Sequence, residues 1–538
     1  MNIPLTPLRC LRYAEQQFPK RTAIVCGSER FTYAQFAERA ARLGGALLQL
    51  GIAPGDRVAF LSKNCHRLLE AYFGVLEAGA VLLPLNFRLA AQELAFILND
   101  SEARILFFEK EFLPFVEQFR RSVPSVERFV SLDSLPQADW MTPHHYDQLL
   151  SAAKPHQADI MQIDEDSLAE LFYTSGTSAE PKGVMLSHRN IYLHALSSSM
   201  VSDPRIEHVI LHTIPLFHAN GWGAAHTVTM LGGKHVILRL WDCSEMFRLI
   251  QQERVTHFGI VPTMAVAIVN SPERPKYDLS SLDRISIGGS ASSPALVKEI
   301  EEKLGCTCYS GYGLTETSPV LSVSLSKPGA EWQGEQRWNG QAMTGYAIPG
   351  VELRVVDAEE RDVPHDGASI GEVVARGDGV MQGYWKQPAA TTQAMRGGWF
   401  HTGDMATMDE DGYILVVDRK KDIIISGGEN ISSLEIEKAL SAHPAVYETA
   451  VVPVPDTKWG EVPKALVVLR PGASASEEQL LEFCRGRIAH YKCPRSVEFL
   501  ASLPKTGTGK ILKKDLRKQY WGQGTIRPEL AEAAQKRS

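Results

Sequence analysis

The sequence contains no apolar run long enough to cross a bilayer, which takes roughly twenty consecutive apolar residues. It has no basic surplus either: 56 Lys and Arg against 63 Asp and Glu leave a formal net charge of −7, whereas nucleic-acid binders carry an excess of cations. Neither a stable membrane span nor a nucleic-acid partner is therefore expected. Cysteine is sparse and unpatterned. The eight cysteines show no metal-ligand spacing, and Cys306-Thr-Cys308 is the only close pair, so buried free thiols in a reducing compartment are expected rather than zinc or a disulfide framework. Met1-Asn-Ile-Pro-Leu-Thr-Pro7 lacks the basic-then-apolar order of a secretory signal. The final Gln535-Lys-Arg-Ser538 is not a peroxisomal tripeptide signal. The cytoplasm is the expected address. Repeats and low-complexity tracts are also missing, and a composition 44% hydrophobic and 22% charged is that of an ordinary globular chain.

What the chain does have is a phosphate cradle. Tyr173-Thr-Ser-Gly-Thr-Ser-Ala-Glu-Pro-Lys-Gly183 combines short hydroxyls (Thr174, Ser175, Thr177, Ser178), a glycine that admits close backbone approach (Gly176) and a point-charge ammonium (Lys182). Apolar Leu168–Tyr173 before it reads as a strand, and Ser187-His-Arg-Asn190 after it opens a helix, so strand, loop and helix are expected in that order. The loop is not a Walker A motif, which places glycine before the lysine and Ser or Thr after it. Here Pro181 precedes Lys182 and Gly183 follows. Gly507-Thr-Gly-Lys510 fails as well, because Ile511 stands where a hydroxyl is needed.

A length of 538 residues exceeds one hydrophobic core and implies at least two domains. Thr32 with Gln35 forms a capping-box pattern ahead of Phe36, Ala40, Leu43, Leu47 and Leu50 at helical spacing, stopped by Gly51. A strand at Arg57–Leu61, a helix at Leu68–Ala78 and a strand at Ala80–Leu85 follow, and the alternation continues through His208–Pro215, Lys234–Leu240, His257–Val261 and Arg284–Gly288. Such βαβ units favour parallel sheets covered by helices. After about residue 340 the strands shorten and glycines multiply (Val351–Val356, Gly371–Arg376). Beyond the charged stretch Asp418-Arg-Lys-Lys-Asp422, a helix capped by Ser432 with Glu435 opens a small α+β pattern.

Several further motifs occur in fixed order: Pro215-Leu-Phe-His-Ala-Asn-Gly-Trp222, Gly311-Tyr-Gly-Leu-Thr-Glu316, Trp399-Phe-His-Thr-Gly-Asp404, Asp418-Arg-Lys-Lys-Asp422 and Pro504-Lys-Thr-Gly-Thr-Gly-Lys-Ile511. Together with the loop they resemble the core motifs of the adenylate-forming superfamily, which includes acyl-CoA synthetases, peptide-synthetase adenylation domains and firefly luciferase, and they span most of the chain. The loop departs only slightly, with Thr177-Ser178-Ala179 where the family commonly has Thr-Thr-Gly.

The resemblance implies an α/β fold with a large N-terminal domain over 1–418 of parallel and mixed sheets covered by helices, including a small barrel-like subdomain. A hinge at 419–422 turning on Lys421 and a small mobile α+β domain over 423–538 would follow. It implies ATP, CoA and a carboxylic acid as substrates, with Mg²⁺ held by Glu316 and Thr174, and it admits a homodimer. The nucleotide would meet Thr174, Ser175, Gly176, Thr177, Ser178, Lys182, Gly289, Ser290, Gly311, Tyr312, Gly313, Thr315, Asp404 and Arg419. Tyr312 would offer adenine an aromatic plane, and Asp404 and Arg419 would meet the ribose. Lys510 would neutralise charge at the α-phosphate, with His218 and Glu316 as the other catalytic groups. The acyl group would lie by His218, Trp222 and Gly288, and the pantetheine arm of CoA by Ser426, Gly427 and Gly428. The spacing of His218 and Trp222 puts both on one side if the segment is helical. A fatty acid of medium or long chain is the expected acid. Methylthiopropionate-type or aryl acids, or a carrier-protein acceptor, are the alternatives. The excess of 13 Lys and Arg over 4 Asp and Glu from Cys484 to Ser538 suits an anionic ligand such as the CoA phosphates.

Overall fold

The structure is a computed structural model describing residues 2–136, 138–174, 181–201, 207–330, 332–420, 422–426, 429–456, 458–505 and 511–521. The chain divides into two compact units, Met1–Arg354 with Val374–Thr402, and Val355–Val373 with Gly403–Ser538.

Local sequence signals translate directly into elements of the first unit. Thr32 Oγ1 accepts from Gln35 N while Gln35 Oε1 accepts from Thr32 N, and this reciprocal cap starts the helix Tyr33–Gln49. Its apolar stripe (Phe36, Ala40, Leu43, Leu47) is buried. The strands Arg57–Leu61 and Val81–Leu85 pair in parallel, joined by the helix His66–Glu77, and strand Ala103–Phe108 continues the sheet on the other side. The described residues give a seven-stranded sheet here and a nine-stranded sheet elsewhere in the unit. In the larger one, strands Lys234–Ile237, Val209–His212, His257–Ile260, Arg284–Ile287 and Thr307–Gly313 lie side by side, all parallel. Antiparallel strands extend it on both sides, Val320–Val323 and then Tyr346–Ala347 at one end and Glu29–Thr32 at the other. Mixed sheets with helical cover match the α/β expectation.

The phosphate-loop region differs from expectation. The loop does not run into a helix: strand Lys182–Ser187 comes first, antiparallel to Leu168–Thr174 with Thr174 opposite Lys182, and the helix His188–Val201 begins only after it. Pairing with the preceding strand explains why. Gly183 and Val184 are buried against the preceding strand, so the segment extends rather than coils.

In the second unit, residues 404–408 pair antiparallel with residues 414–419. Beyond them, Val446–Asp456 and Gly460–Leu469 form a long hairpin. The helices Ser433–Ser441 and Glu477–Arg485 bring Ile436, Leu440 and Leu480 onto it, with Val451 and Val467 in the same core. This is the expected α+β pattern. Among the described residues no helix is long and apolar enough to cross a membrane. All eight cysteines are free, and all but Cys243 are buried.

In the first unit, buried Glu70 sits in a charge cluster. Glu70 is fully buried and accepts from Arg39 Nε at 2.6 Å, Arg39 Nη2 at 3.1 Å and Tyr146 Oη at 2.7 Å. Asp147 accepts from Arg39 and from Arg67. Removing one partner of such a cluster strands the other's charge, at about 3–5 kcal/mol. Arg39→Met should lower unfolding free energy by about that much in urea melts, and Arg39→Met with Glu70→Leu should recover most of the loss.

Candidate functional site

The sequence-derived positions in the first unit gather at the carboxyl ends of its parallel strands. Gly288, Gly289 and Ser290 follow strand Arg284–Ile287, and Gly311, Tyr312 and Gly313 end strand Thr307–Gly313. Thr213 and the motif Pro215–Trp222 follow strand Val209–His212. In open α/β sheets this edge is where ligands bind, because the loops leaving the strands there converge. Tyr312 is half-buried, while Gly289 and Ser290 are exposed.

The chain turns back sharply after Gly313. A short 3₁₀ turn, Thr315–Thr317, and the cis peptide Ser318-Pro319 lead into the antiparallel strand Val320–Val323. A side chain at Gly313 would put a Cβ 1.7 Å from Pro319 O, so only glycine fits. This fold-back presents Glu316, whose Oε1 accepts from Tyr384 Oη at 3.1 Å. Lys182 Nζ lies 4.9 Å from the centroid of the same tyrosine ring, a cation–π distance. Lys182, Tyr384 and Glu316 thus form one chain of contacts. Burial, and then the Glu316 charge, push the Tyr384 phenol well above its ordinary value, so it stays a neutral donor. Among the described residues no group of three or more His, Cys, Asp or Glu could hold a metal. The single carboxylate of Glu316 suits a Mg²⁺ that takes most of its ligands from phosphates and water.

The motif Pro215–Trp222 departs from a right-handed helix. Ala219, Asn220, Gly221, Trp222 and Gly223 have φ of 44°, 47°, 67°, 58° and 80°, so the turn is left-handed. Each non-glycine residue held this way costs roughly 1–2 kcal/mol. The expectation of an ordinary helical face for His218 and Trp222 is therefore corrected. The segment entering the turn is fixed by its neighbours: Asn64 donates to His212 O and Ile214 O and accepts from Leu216 N, and Tyr72 Oη donates to Leu216 O at 2.6 Å. Trp222 is thereby laid on backbone. A Cβ at Gly259 or Gly288 would stand 3.0 Å from the indole, and the absence of side chains at both is what lets the ring sit flush. His218 and Trp222 are both half-buried.

In the second unit, Asp404 and Arg419 face each other across paired strands. Arg419 Nε lies 3.1 Å from Asp404 Oδ1, and the aspartate side chain is 5% exposed against 49% for the arginine. Asp418 beside it is buried and accepts from Ser433 N and Oγ at 2.7 and 2.6 Å. Lys513 ties Ser433 and Glu437 to this cluster. Ser426 pairs with Glu429 and Gly460. Ser175, Gly176, Thr177, Ser178, Lys421, Gly427, Gly428 and Lys510 lie outside the described residues.

Sequence reasoning did not reach Tyr384, Gly259 or the buried trio Glu170, Asn220 and His226. Tyr384 carries no local signal. Glu170 does: it is the one charge in the apolar run Leu168–Thr174, and an isolated charge in a buried strand needs partners.

With this geometry in place, comparison with known proteins is direct. Residues 11–385 match the family model "AMP-binding enzyme", and residues 435–510 match "AMP-binding enzyme C-terminal domain". The chain belongs to the AMP-binding enzyme family, of the adenylate-forming class. A peroxisomal butyrate–CoA ligase, AAE11, of Arabidopsis thaliana is 38% identical, over 96% of this chain and 93% of that protein. A long-chain-fatty-acid–CoA ligase of Thermus thermophilus is 40% identical, over 91% and 90%. The solved structure of anthranilate CoA ligase AuaEII with anthranoyl-AMP is 28% identical, with a TM-score of 0.88 over 99% of each chain.

His194 packs beside the left-handed turn, where a Cβ on Gly223 would reach its Cε1 at 2.8 Å, and its Nε2 accepts from Val320 N at 3.0 Å. Burial pushes its pKa down to about 3. An unfolded histidine titrates near 6.5, so on acidification the unfolded chain takes up the proton first. The stability contributed by neutral His194 is full above about pH 6.5 and is lost as pH falls toward 3. His194→Gln keeps an acceptor for Val320 and should flatten the pH dependence of unfolding free energy by about 1.4 kcal/mol per pH unit between pH 6 and 4. Urea melts across that range check this. Parallel slopes for the two proteins would mean that His194 is charged in the fold.

Proposed function

We propose that the chain is an AMP-forming acid–thiol ligase, an acyl-CoA synthetase working in two steps. A carboxylate oxygen attacks the α-phosphorus of ATP, the bond to pyrophosphate breaks, and an acyl-adenylate forms. The sulfur of CoA then attacks the acyl carbon, the C–O bond to AMP breaks, and the thioester leaves. The observation that carries this reading is the contact chain Lys182–Tyr384–Glu316, whose Glu316 follows a strand of the same sheet as the strand leading into the turn bearing His218 and Trp222. The CoA-ligase relatives support it.

In this reading Thr174, Ser175, Gly176, Thr177, Ser178 and Lys182 cradle the departing pyrophosphate. Glu316, with Thr174, would hold Mg²⁺, which when bound screens phosphate charge. Tyr384 orients Glu316 through its hydroxyl. Tyr312 lies against adenine, with Gly289, Ser290, Gly311, Gly313 and Thr315 near the nucleotide. Asp404, a buried carboxylate, accepts from ribose hydroxyls while Arg419 orients it. Lys510 stabilises charge developing at the α-phosphate, where a placed cation contributes most. A domain boundary at 418, a hinge at 419–422 and rotation about Lys421 would exchange Lys510 for the Ser426–Gly428 segment, whose missing side chains admit a pantetheine arm. His218 borders the carboxylate.

For the acid, the reading favours a medium or long aliphatic chain, with Trp222 as a movable wall, and the long-chain relative supports this. A second reading, a small or aryl acid, is favoured by the position of Trp222 itself, which already covers Gly259 and Gly288. AMP release measured over aliphatic, aryl and thioether acids, with and without CoA, decides between them. Replacing CoA by a phosphopantetheinylated carrier protein tests the other acceptor.

Trp222→Ala should shift acid preference while leaving the KM for ATP unchanged, and an unaltered profile would remove the wall. Lys510→Ala should slow adenylation by about 10²–10³-fold yet keep thioester formation from preformed acyl-adenylate. Equal loss of both half-reactions would sink the assignment.

A further inference from the structure

Glu170 is the charged member of strand Leu168–Thr174 and is fully buried. Its Oε2 accepts from Asn220 Nδ2 at 2.9 Å and its Oε1 lies 2.6 Å from His226 Nε2. An amide nitrogen only donates, so Glu170 Oε2 accepts from Asn220, which fixes the Asn220 amide orientation. Asn220 is the second residue of the left-handed turn, and His226 lies on the helix Ala224–Met230 that follows it. The His226 ring stands edge-on to Tyr72 and Phe73, at 5.6 and 5.2 Å between centroids. One carboxylate therefore grips the strained turn and the helix after it.

The other end of the same strand is Thr174, four residues on and on the same face as Glu170 by strand alternation. The group that holds the acid-side turn is thus built into the strand that delivers the phosphate loop. Asn220 Oδ1 and His226 Nδ1 have no hydrogen-bond partner among the described residues, so Glu170 is the partner on which the polar ends of both side chains depend.

We propose that Glu170 is a positioning residue for acid selection: through Asn220 it keeps the turn left-handed and Trp222 seated on Gly259 and Gly288. This rests on the reading of Trp222 as a wall of the acid pocket. Without the tether, Ala219 and Trp222 have reason to leave the left-handed region, and the indole leaves its glycine seat. No contact with the reacting atoms is assigned to Glu170. It acts through Asn220 and Trp222.

Asn220→Gly is the decisive variant, because glycine tolerates positive φ and only the tether is lost. Glu170→Leu removes the acceptor itself, and Glu170→Gln, which retains an oxygen for Asn220, is the conservative control. Full-length protein labelled with 5-fluorotryptophan gives one ¹⁹F resonance for each of its nine tryptophans, and loss of a signal in Trp222→Phe assigns Trp222. In Asn220→Gly, and in Glu170→Leu if it folds, the Trp222 resonance should move or broaden while the other signals stay. The KM for the preferred acid should rise about tenfold, with the KM for ATP within about twofold. Glu170→Gln should lie near the parent protein on both readouts. An unmoved Trp222 signal in Asn220→Gly, or equal rises in the two KM values, would overturn the proposal. If the parent protein releases no AMP with any acid, the ligase reading fails, and the fluorine spectra still decide whether the tether holds Trp222.

Discussion

Five consecutive residues at 219–223 stand on the left-handed side of backbone space, and much of the first unit is arranged to keep them there. Local preference opposes the conformation at Ala219 and Trp222, since a Cβ crowds the following carbonyl, so the turn persists only because tertiary contacts over-determine it. Glu170 reaches it at Asn220, while Asn64 and Tyr72 fix Leu216 just before it. The outcome is a tryptophan packed against Gly259 and Gly288, which have no side chains to displace it. Strain of this kind belongs at sites where a side chain must be aimed against its own preference.

The segment leading to the helix His188–Val201 is built on a different plan. Nucleotide loops of the Walker type gain from the N-terminus of a helix. Here strand Lys182–Ser187 intervenes before the helix His188–Val201. Lys182 rests over Tyr384, and Tyr384 binds Glu316. Movement of any one of the three is felt by the other two.

Among the described residues, several carboxylates withdrawn from water are met by donors in each unit. Glu70 has Arg39 and Tyr146, Glu170 has Asn220 and His226, and Asp418 has Ser433. These clusters bond segments far apart in sequence, so they fix relative positions that apolar packing, which has no direction, leaves loose. The pair of Asp404 with Arg419 differs, because half of the arginine remains in water. That exposure leaves the guanidinium accessible from solvent.

Much of this architecture was legible in the residues. The capped helix from Tyr33, the strands Arg57–Leu61 and Val81–Leu85 and the cap at Ser432 follow from periodicity and capping chemistry, which act within a few residues and so are written locally. The family could be read for the same reason: its motifs are short and contiguous. The handedness of the turn at 219–223, the strand that takes Lys182 away from a helix, and the parts played by Tyr384, Gly259 and Glu170 were decided only by tertiary structure. Each depends on partners dozens to hundreds of residues away, as Glu316 is from Tyr384 or Trp222 from Gly259, and no local preference carries that information. By itself the sequence determined which chemistries are present and on which elements they ride, whereas the fold decided which of them meet, because only packing overrules local backbone preference.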